Sequence, residues 1–101
     1  MKTRFGTAIR VERVQTGVRM EKRMVKVLKA LAEYQDMSLG DLLEGIVLHA
    51  FANRLPFSPE TLQRITQLKD VYGMTYDVAQ SHRLADDRTT PDCIAEADSQ
   101  E

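Results

Sequence analysis

Positive side chains, whose ammonium and guanidinium groups bind phosphate, are concentrated at one end of this sequence. The first 30 residues carry nine Lys or Arg against Glu12 and Glu21, a net charge of +7, whereas the rest carries five basic and thirteen acidic side chains, a net charge of −8. The overall charge of −1 therefore conceals a segregated chain that can present a strongly positive surface. Charge alone leaves two interpretations open: a surface that binds a polyanion, and a solvated helix surface crossed by salt bridges.

Other reactive residue types lack the spacing that catalysis or metal binding requires. Ser38, Ser58 and Ser81 sit in no nucleophile motif, and no glycine-rich phosphate loop is present. His49, His82 and the single cysteine Cys93 have no neighbours at metal-ligand spacing. We therefore predict that the protein is not an enzyme and has no catalytic residues, no metal and no cofactor.

The length and hydropathy of the chain limit which architectures it can adopt. With 101 residues, 43% of them apolar, the chain fits one small domain whose core is modest, and dimerisation is a usual remedy for a small core. The first residues lack the apolar run of a signal peptide, and no segment approaches the roughly 20 apolar residues that span a bilayer. We expect a cytoplasmic protein with no membrane partner.

Residues 14–20 alternate between apolar and polar side chains, which predicts a strand with one covered face. One face is formed by Val14, Thr16, Val18 and Met20, and the other by Arg13, Gln15, Gly17 and Arg19. A strand this short must pair with another, and no second convincing strand follows. We expect it to pair with the same strand of a second chain.

Helical spacing begins near Glu21 and continues in three segments. The first, 21–35, has an apolar stripe opposite its lysines, and a turn near Asp36 separates it from the second, 39–53, which Ser38 caps. The second is apolar over much of its circumference, which again indicates a partner chain. Ser58 and Pro59 begin the third helix and Gly73 ends it, and we predict a further short helix at 76–84.

Four regions follow from these patterns. Residues 1–13 form a basic N-terminal arm, 14–53 the strand and first two helices, and 54–84 a helical extension. Residues 85–101 have little to bury and are rich in acidic side chains, so we predict a disordered acidic tail.

The order of elements in residues 14–53 closely resembles the ribbon-helix-helix family of DNA-binding proteins, the Arc/MetJ type. The resemblance rests on the 14–20 alternation, the stripe of the first helix, the turn Asp36-Met37-Ser38, and the run from Asp41-Leu42-Leu43 through Ile46-Val47. It implies a mostly α fold in which one short strand per chain pairs antiparallel across an intertwined homodimer, with a C-terminal helical extension.

The resemblance also implies which residues meet DNA. The strand's outer face, Gln15, Gly17 and Arg19, would read bases in the major groove, where Arg suits guanine and Gln suits adenine. The resemblance also places phosphate contacts at Ser38, Leu39 and Gly40, a helix start that favours anions. The positive charge beside the strand adds Arg13, Lys22 and Arg23 as predicted phosphate contacts. The dimer core would contain Val18, Met20, Leu28, Leu31, Leu42, Leu43, Ile46 and Val47.

Two hypotheses about function follow. The first is a homodimeric, sequence-specific protein that binds double-stranded DNA, inserts a two-stranded β-ribbon into the major groove, and acts as a transcriptional repressor or autoregulator. The alternative is an antitoxin-like interaction module whose residues 56–101 bind a toxin or another protein. A small helical bundle with a merely solubilising basic end is also compatible with the sequence.

Overall fold

The computed structural model of the chain describes residues 8–86, which contain three α-helices and one short 3-10 helix. Helix α1 spans Lys22–Tyr34, α2 spans Leu39–Phe51, and α3 spans Pro59–Tyr72, followed by a 3-10 turn at Val78–Gln80. The three predicted helices are present with their ends displaced by two residues or fewer. The helix predicted at 76–84 is wrong in extent, because only three of its residues are helical.

Local side-chain chemistry fixes where the helices begin. Ser38 and Ser58 each stand one residue before a helix, and their hydroxyl oxygens accept the free N–H of Asp41 and Thr61 respectively. Glu21 does the same for α1 by accepting from the Met24 N–H at 3.0 Å. A carboxylate at this place also complements the positive end of the helix dipole.

The turns between helices use left-handed backbone conformations. Asp36, after α1, has a φ of 63°, and Gly73, after α3, has a φ of 70°. Asp tolerates this conformation and Gly adopts it without steric cost, so both helices end where the sequence predicts.

The core lies where α1 packs against both α2 and α3. Its centre is Leu31, 1% exposed, with Ala32 and Leu42 buried beside it. Five half-buried side chains close the cluster: Leu28, Ile46, Phe57, Ile65 and Leu68. Because α3 contributes Ile65 and Leu68, the extension after residue 54 is part of the same core.

The predicted ribbon-helix-helix fold is wrong for the part of the chain described, which is all-helical. Residues 14–20 form no strand, and no β-strand occurs between residues 8 and 86. The alternation of side chains specifies two faces, but a strand also needs a neighbouring backbone to complete its hydrogen bonds. Within residues 8–86 no backbone hydrogen bond joins the segment 8–20 to another segment.

Two further predictions concern the ends and the membrane. Residues 1–7 of the predicted basic arm and residues 87–101 of the predicted acidic tail lie outside the described residues. Among the helices of residues 8–86, none has the length and apolar run needed to cross a bilayer.

Candidate nucleic-acid interface

Three lysines form a continuous positive face on α1. Lys22, Lys26 and Lys29 are spaced by four and three residues, which places them on one side of the helix, opposite the buried Leu31. All three are exposed, and no salt bridge within residues 8–86 engages them. The Lys26 ammonium lies 5.9 Å from the centroid of the Tyr72 ring, which orients it without neutralising its charge. We call these three residues the lysine face.

The residues predicted to read bases lie in an open segment that leads into α1. Gln15, Gly17 and Arg19 are exposed, like every residue from 8 to 20. No atom lies within 4 Å of the point where a Cβ on Gly17 would stand. The missing side chain therefore leaves free space on the surface and serves no packing contact inside the chain.

Arg13, one of the predicted phosphate contacts, is paired with α2. Its Nε and Nη2 donate to the two carboxylate oxygens of Glu44, each at 2.9 Å. The hydrogen bonds and the charge of Glu44 raise the pKa of Arg13, and the same hydrogen bonds lower the pKa of Glu44. Both side chains are largely exposed, so the pair holds the N-terminal segment beside α2 but stabilises the fold only weakly.

Arg19, the predicted guanine reader, is paired with the end of the described chain. Its Nη2 lies 2.8 Å from Oδ2 of Asp86, and its side chain is 83% exposed. The partner comes from a segment, residues 74–86, that follows α3 and returns to the start of α1. We call residues 74–86 the C-terminal strap.

Glu21 joins the strap to the start of α1. Its carboxylate accepts the Met24 N–H, the Nε–H of Arg23 at 2.9 Å, and the hydroxyl of Tyr76 in the strap. Arg23 also donates to the Gly73 carbonyl at 2.9 Å, and its guanidinium lies 5.6 Å from the centroid of the Tyr76 ring. Arg23 is thus a structural link between α1 and the strap as well as a predicted phosphate contact.

The contacts around Glu21 shift the pKa values of two groups, Glu21 and Tyr76. Partial burial alone would raise the pKa of Glu21, but hydrogen bonds from Tyr76, Arg23 and Met24 outweigh it and lower that pKa to about 2. Burial and the hydrogen bond to the Glu21 carboxylate raise the pKa of Tyr76 to about 12. Both shifts favour the same pairing of an ionised Glu21 with a neutral Tyr76.

The predicted anion site at the start of α2 has mixed electrostatics. Ser38 uses its hydroxyl to cap the N–H of Asp41 at 3.1 Å, and Gly40 is exposed. The nearby acidic groups, Asp41 in the first turn and Glu44 beyond it, oppose a phosphate, although Glu44 is paired with Arg13. Leu39 is half-buried, so it contributes at most its backbone N–H.

The predicted dimer-core residues fall into two groups. Leu31 and Leu42 are buried inside the single chain, with Leu28 and Ile46 packed against them. The exposed group contains Val18 at 75%, Met20 at 39% and Val47 at 44%, while Leu43 is half-buried. Among these residues, the exposed group has the most apolar surface left for a partner.

Sequence reasoning missed part of this arrangement. The predicted phosphate contacts include Lys22 but neither Lys26 nor Lys29, although the spacing of all three along one helix was a sufficient signal. The contacts of Glu21 with Tyr76 and of Arg19 with Asp86 join residues 55 and 67 positions apart, and no local pattern indicates them. The partner protein predicted for residues 56–101 stays a prediction, and α3 already uses two of its apolar residues in the core.

Comparisons with protein-family models, curated proteins and solved structures gave no match to this chain.

Proposed function

We propose that this protein binds double-stranded DNA as a homodimer and acts as a transcriptional repressor or autoregulator. The observation that carries the proposal is the lysine face, which leads directly into the exposed segment that contains Gln15 and Arg19. Residues 8–30 carry seven basic and two acidic side chains, a net charge of +5. A surface of this charge attracts the phosphate backbone and releases its condensed counterions.

The lysine face supplies the contacts to phosphate. Along a straight helix, Lys22 and Lys29 are separated by about 10 Å at 1.5 Å per residue, so their flexible side chains can reach different phosphates of one duplex. Lysine acts on phosphate as a hydrated point charge with freely turning donors. These contacts fix the position of the protein on the duplex and carry little sequence information.

Preference for sequence comes from Gln15 and Arg19. Both side chains are exposed and both have the hydrogen-bonding groups to read a base edge in the major groove. Gly17, between them, offers no side chain, so each protomer reads few bases. Arg19 must leave Asp86 to reach a base, which an exposed ion pair allows at small cost.

A second copy of the chain covers the exposed apolar side of α2. Val47, Leu48 and Phe51 are spaced to share that side, and they are 44%, 64% and 82% exposed. Large apolar side chains grouped on one helix mark an interaction surface more often than scattered ones do. A two-fold dimer doubles the number of lysine faces on one duplex and requires a symmetric or repeated half-site.

The test measures duplex binding by fluorescence anisotropy across a series of salt concentrations. We expect the affinity of the wild-type protein to fall steeply with salt. The double variant Lys22→Gln/Lys29→Gln should lower the slope of log K against log salt by about 0.9 for each phosphate that the variant no longer neutralises. The matched control, Arg54→Gln/Arg64→Gln, removes the same charge from side chains outside the lysine face and should leave the slope near the wild-type value.

Two outcomes contradict the proposal. If the wild-type protein binds no duplex more tightly than an equally acidic control protein does, DNA is not its partner. If both double variants lower the slope equally, binding depends on net charge and the lysine face has no special role.

A further inference from the structure

Hydrogen bonds and an ion pair hold the C-terminal strap against the surface that we propose binds DNA. Tyr76 donates to Glu21, the residue that caps α1, and Arg23 donates to the carbonyl of Gly73, where the strap begins. At the other end of the strap, Asp86 pairs with Arg19 at 2.8 Å. The strap therefore has one anchor at each end, and both anchors lie at the junction of the exposed segment and α1.

Apolar and charged residues of the strap share a groove with the lysine face. Leu84, Ala85 and Asp86 line a groove with Lys22 and Lys26 on α1. An adjoining groove places Leu84 beside Met20 and Met24. A duplex that approaches Lys22, Lys26 and Arg19 therefore meets the end of the strap in the same space.

Opposite charges favour the position of the strap beside Arg19 and the start of α1. Asp86 is the first of six acidic residues in the stretch 86–101, where Arg88 is the only basic residue. Asp86 is covalently tethered beside the basic surface, so its effective concentration there is of roughly millimolar order. A carboxylate on a guanidinium imitates the phosphate or base acceptor that the same guanidinium would meet in DNA.

We propose that the C-terminal strap is an autoinhibitory element, in which Asp86 occupies Arg19 and must be displaced before that arginine reaches DNA. The inference rests on the proposed function and adds a mechanism of regulation to it. Because the Arg19–Asp86 pair is exposed, it lowers affinity by a small factor and does not abolish binding. The ion pair increases discrimination between DNA sequences, because only a duplex that offers Arg19 a good hydrogen-bond acceptor compensates for the broken pair.

The test compares two variants of the full chain that release different anchors. Asp86→Asn removes the ion pair, and we expect duplex affinity to rise about two- to fivefold, the range that follows from exposed pairs. Tyr76→Phe removes the other anchor without changing any charge, so a rise in affinity cannot be attributed to net charge. The control Glu60→Gln removes one negative charge from the first turn of α3, outside the lysine face, and should leave affinity near the wild-type value.

A second measurement follows the strap without DNA. A nitroxide label is attached at Ala85→Cys in a Cys93→Ser background, and the broadening of amide signals from residues 13–26 is recorded by NMR. We expect broadening at low salt that weakens when Asp86→Asn is added and when salt is raised. Circular dichroism of each variant checks that the helices persist.

The outcomes separate the two proposals. If the wild-type protein binds DNA and neither Asp86→Asn nor Tyr76→Phe binds more tightly than it does, the autoinhibitory role is wrong and the DNA-binding proposal stands. If no variant binds DNA, the proposed function is wrong. Broadening that is unchanged by Asp86→Asn and by salt shows that the ion pair does not hold the strap, which also overturns the inference.

Discussion

Arg13, Arg19 and Arg23 are each held by a carboxylate of the same chain, whereas the lysines of α1 have no such partner within residues 8–86. Arg13 forms the two parallel hydrogen bonds that a planar guanidinium makes to a carboxylate and an ammonium cannot, whereas Arg19 and Arg23 each donate a single one to theirs. The lysines therefore stay available to any polyanion. Each of these arginines must break its ion pair with a carboxylate of the chain before it binds a polyanion.

Glu21 links this charge chemistry to stability through its low pKa. The pKa is about 2 in the folded chain against an ordinary 4.5, so the unfolded chain takes up the proton first as the pH falls. The stabilisation is present above about pH 4.5 and is lost as the pH approaches 2. We expect Glu21→Gln to reduce the free energy of unfolding at neutral pH by about 1 kcal/mol, the usual cost of removing an N-cap.

Urea unfolding followed by circular dichroism at several pH values checks this prediction. The quantity of interest is the difference between the wild type and Glu21→Gln, because Glu44 also has a lowered pKa and adds its own dependence on pH. The difference should shrink as the pH falls from about 4.5 toward 2. A difference that stays constant across that range would show that the carboxylate charge is not what stabilises the start of α1.

At the scale of elements, what the sequence predicts depends on whether the signal is local. Ser38, Ser58 and Gly73 act within one helical turn, and the helix ends they predict are the ones observed. The 14–20 alternation is local too, but its consequence is not, since a strand requires a second backbone. The strand prediction failed at that step. The C-terminal strap was missed for the same reason, because its contacts connect distant residues.

Two glycines in different backbone conformations test how the helices end. Gly73 has a φ of 70°, so Gly73→Ala should destabilise the fold by about 1 kcal/mol, the cost of a Cβ in the left-handed region. Gly45 lies inside α2, and apart from its chain neighbours and the backbone of its own helix no atom lies within 4 Å of the point where its Cβ would stand. Gly45→Ala should therefore stabilise the fold by about 0.5–1 kcal/mol, since Ala loses less backbone entropy in a helix.

Thermal and urea unfolding of both glycine variants measure the opposite signs directly. Each variant serves as the control for the other, because the chemical change is identical and only the backbone conformation differs. Equal effects of the two substitutions would mean that the φ at Gly73 does not determine where α3 ends. If Gly45→Ala destabilised the fold, we would infer that another surface lies against that side of α2, as in a dimer contact.

At the scale of the whole molecule, the single chain leaves much of its apolar surface uncovered. Only four apolar residues are buried within residues 8–86: Val27, Leu31, Ala32 and Leu42. Phe51 and Leu55, at the end of α2 and just after it, are 82% and 86% exposed, and Val14 and Val18 are nearly as open. In the proposed homodimer this surface is buried against a second copy, which stabilises so small a core.

Phe51 is the side chain on which this proposed dimer depends most. We expect the wild-type protein to sediment as a dimer and Phe51→Asp to shift it toward monomer by at least roughly tenfold in dissociation constant, because an unpaired carboxylate replaces a large apolar contact at the interface. Val71→Asp is the matched control for sedimentation alone, because Val71 is 72% exposed on α3, away from α2, but lines the groove that contains Lys22 and Lys26. It should leave the monomer–dimer equilibrium unchanged. Since two lysine faces bind one duplex only through the dimer, Phe51→Asp should also weaken DNA binding and roughly halve its salt slope. A wild-type protein that remains monomeric at high concentration, or a Phe51→Asp variant that dimerises as well as Val71→Asp does, would remove α2 as the interface.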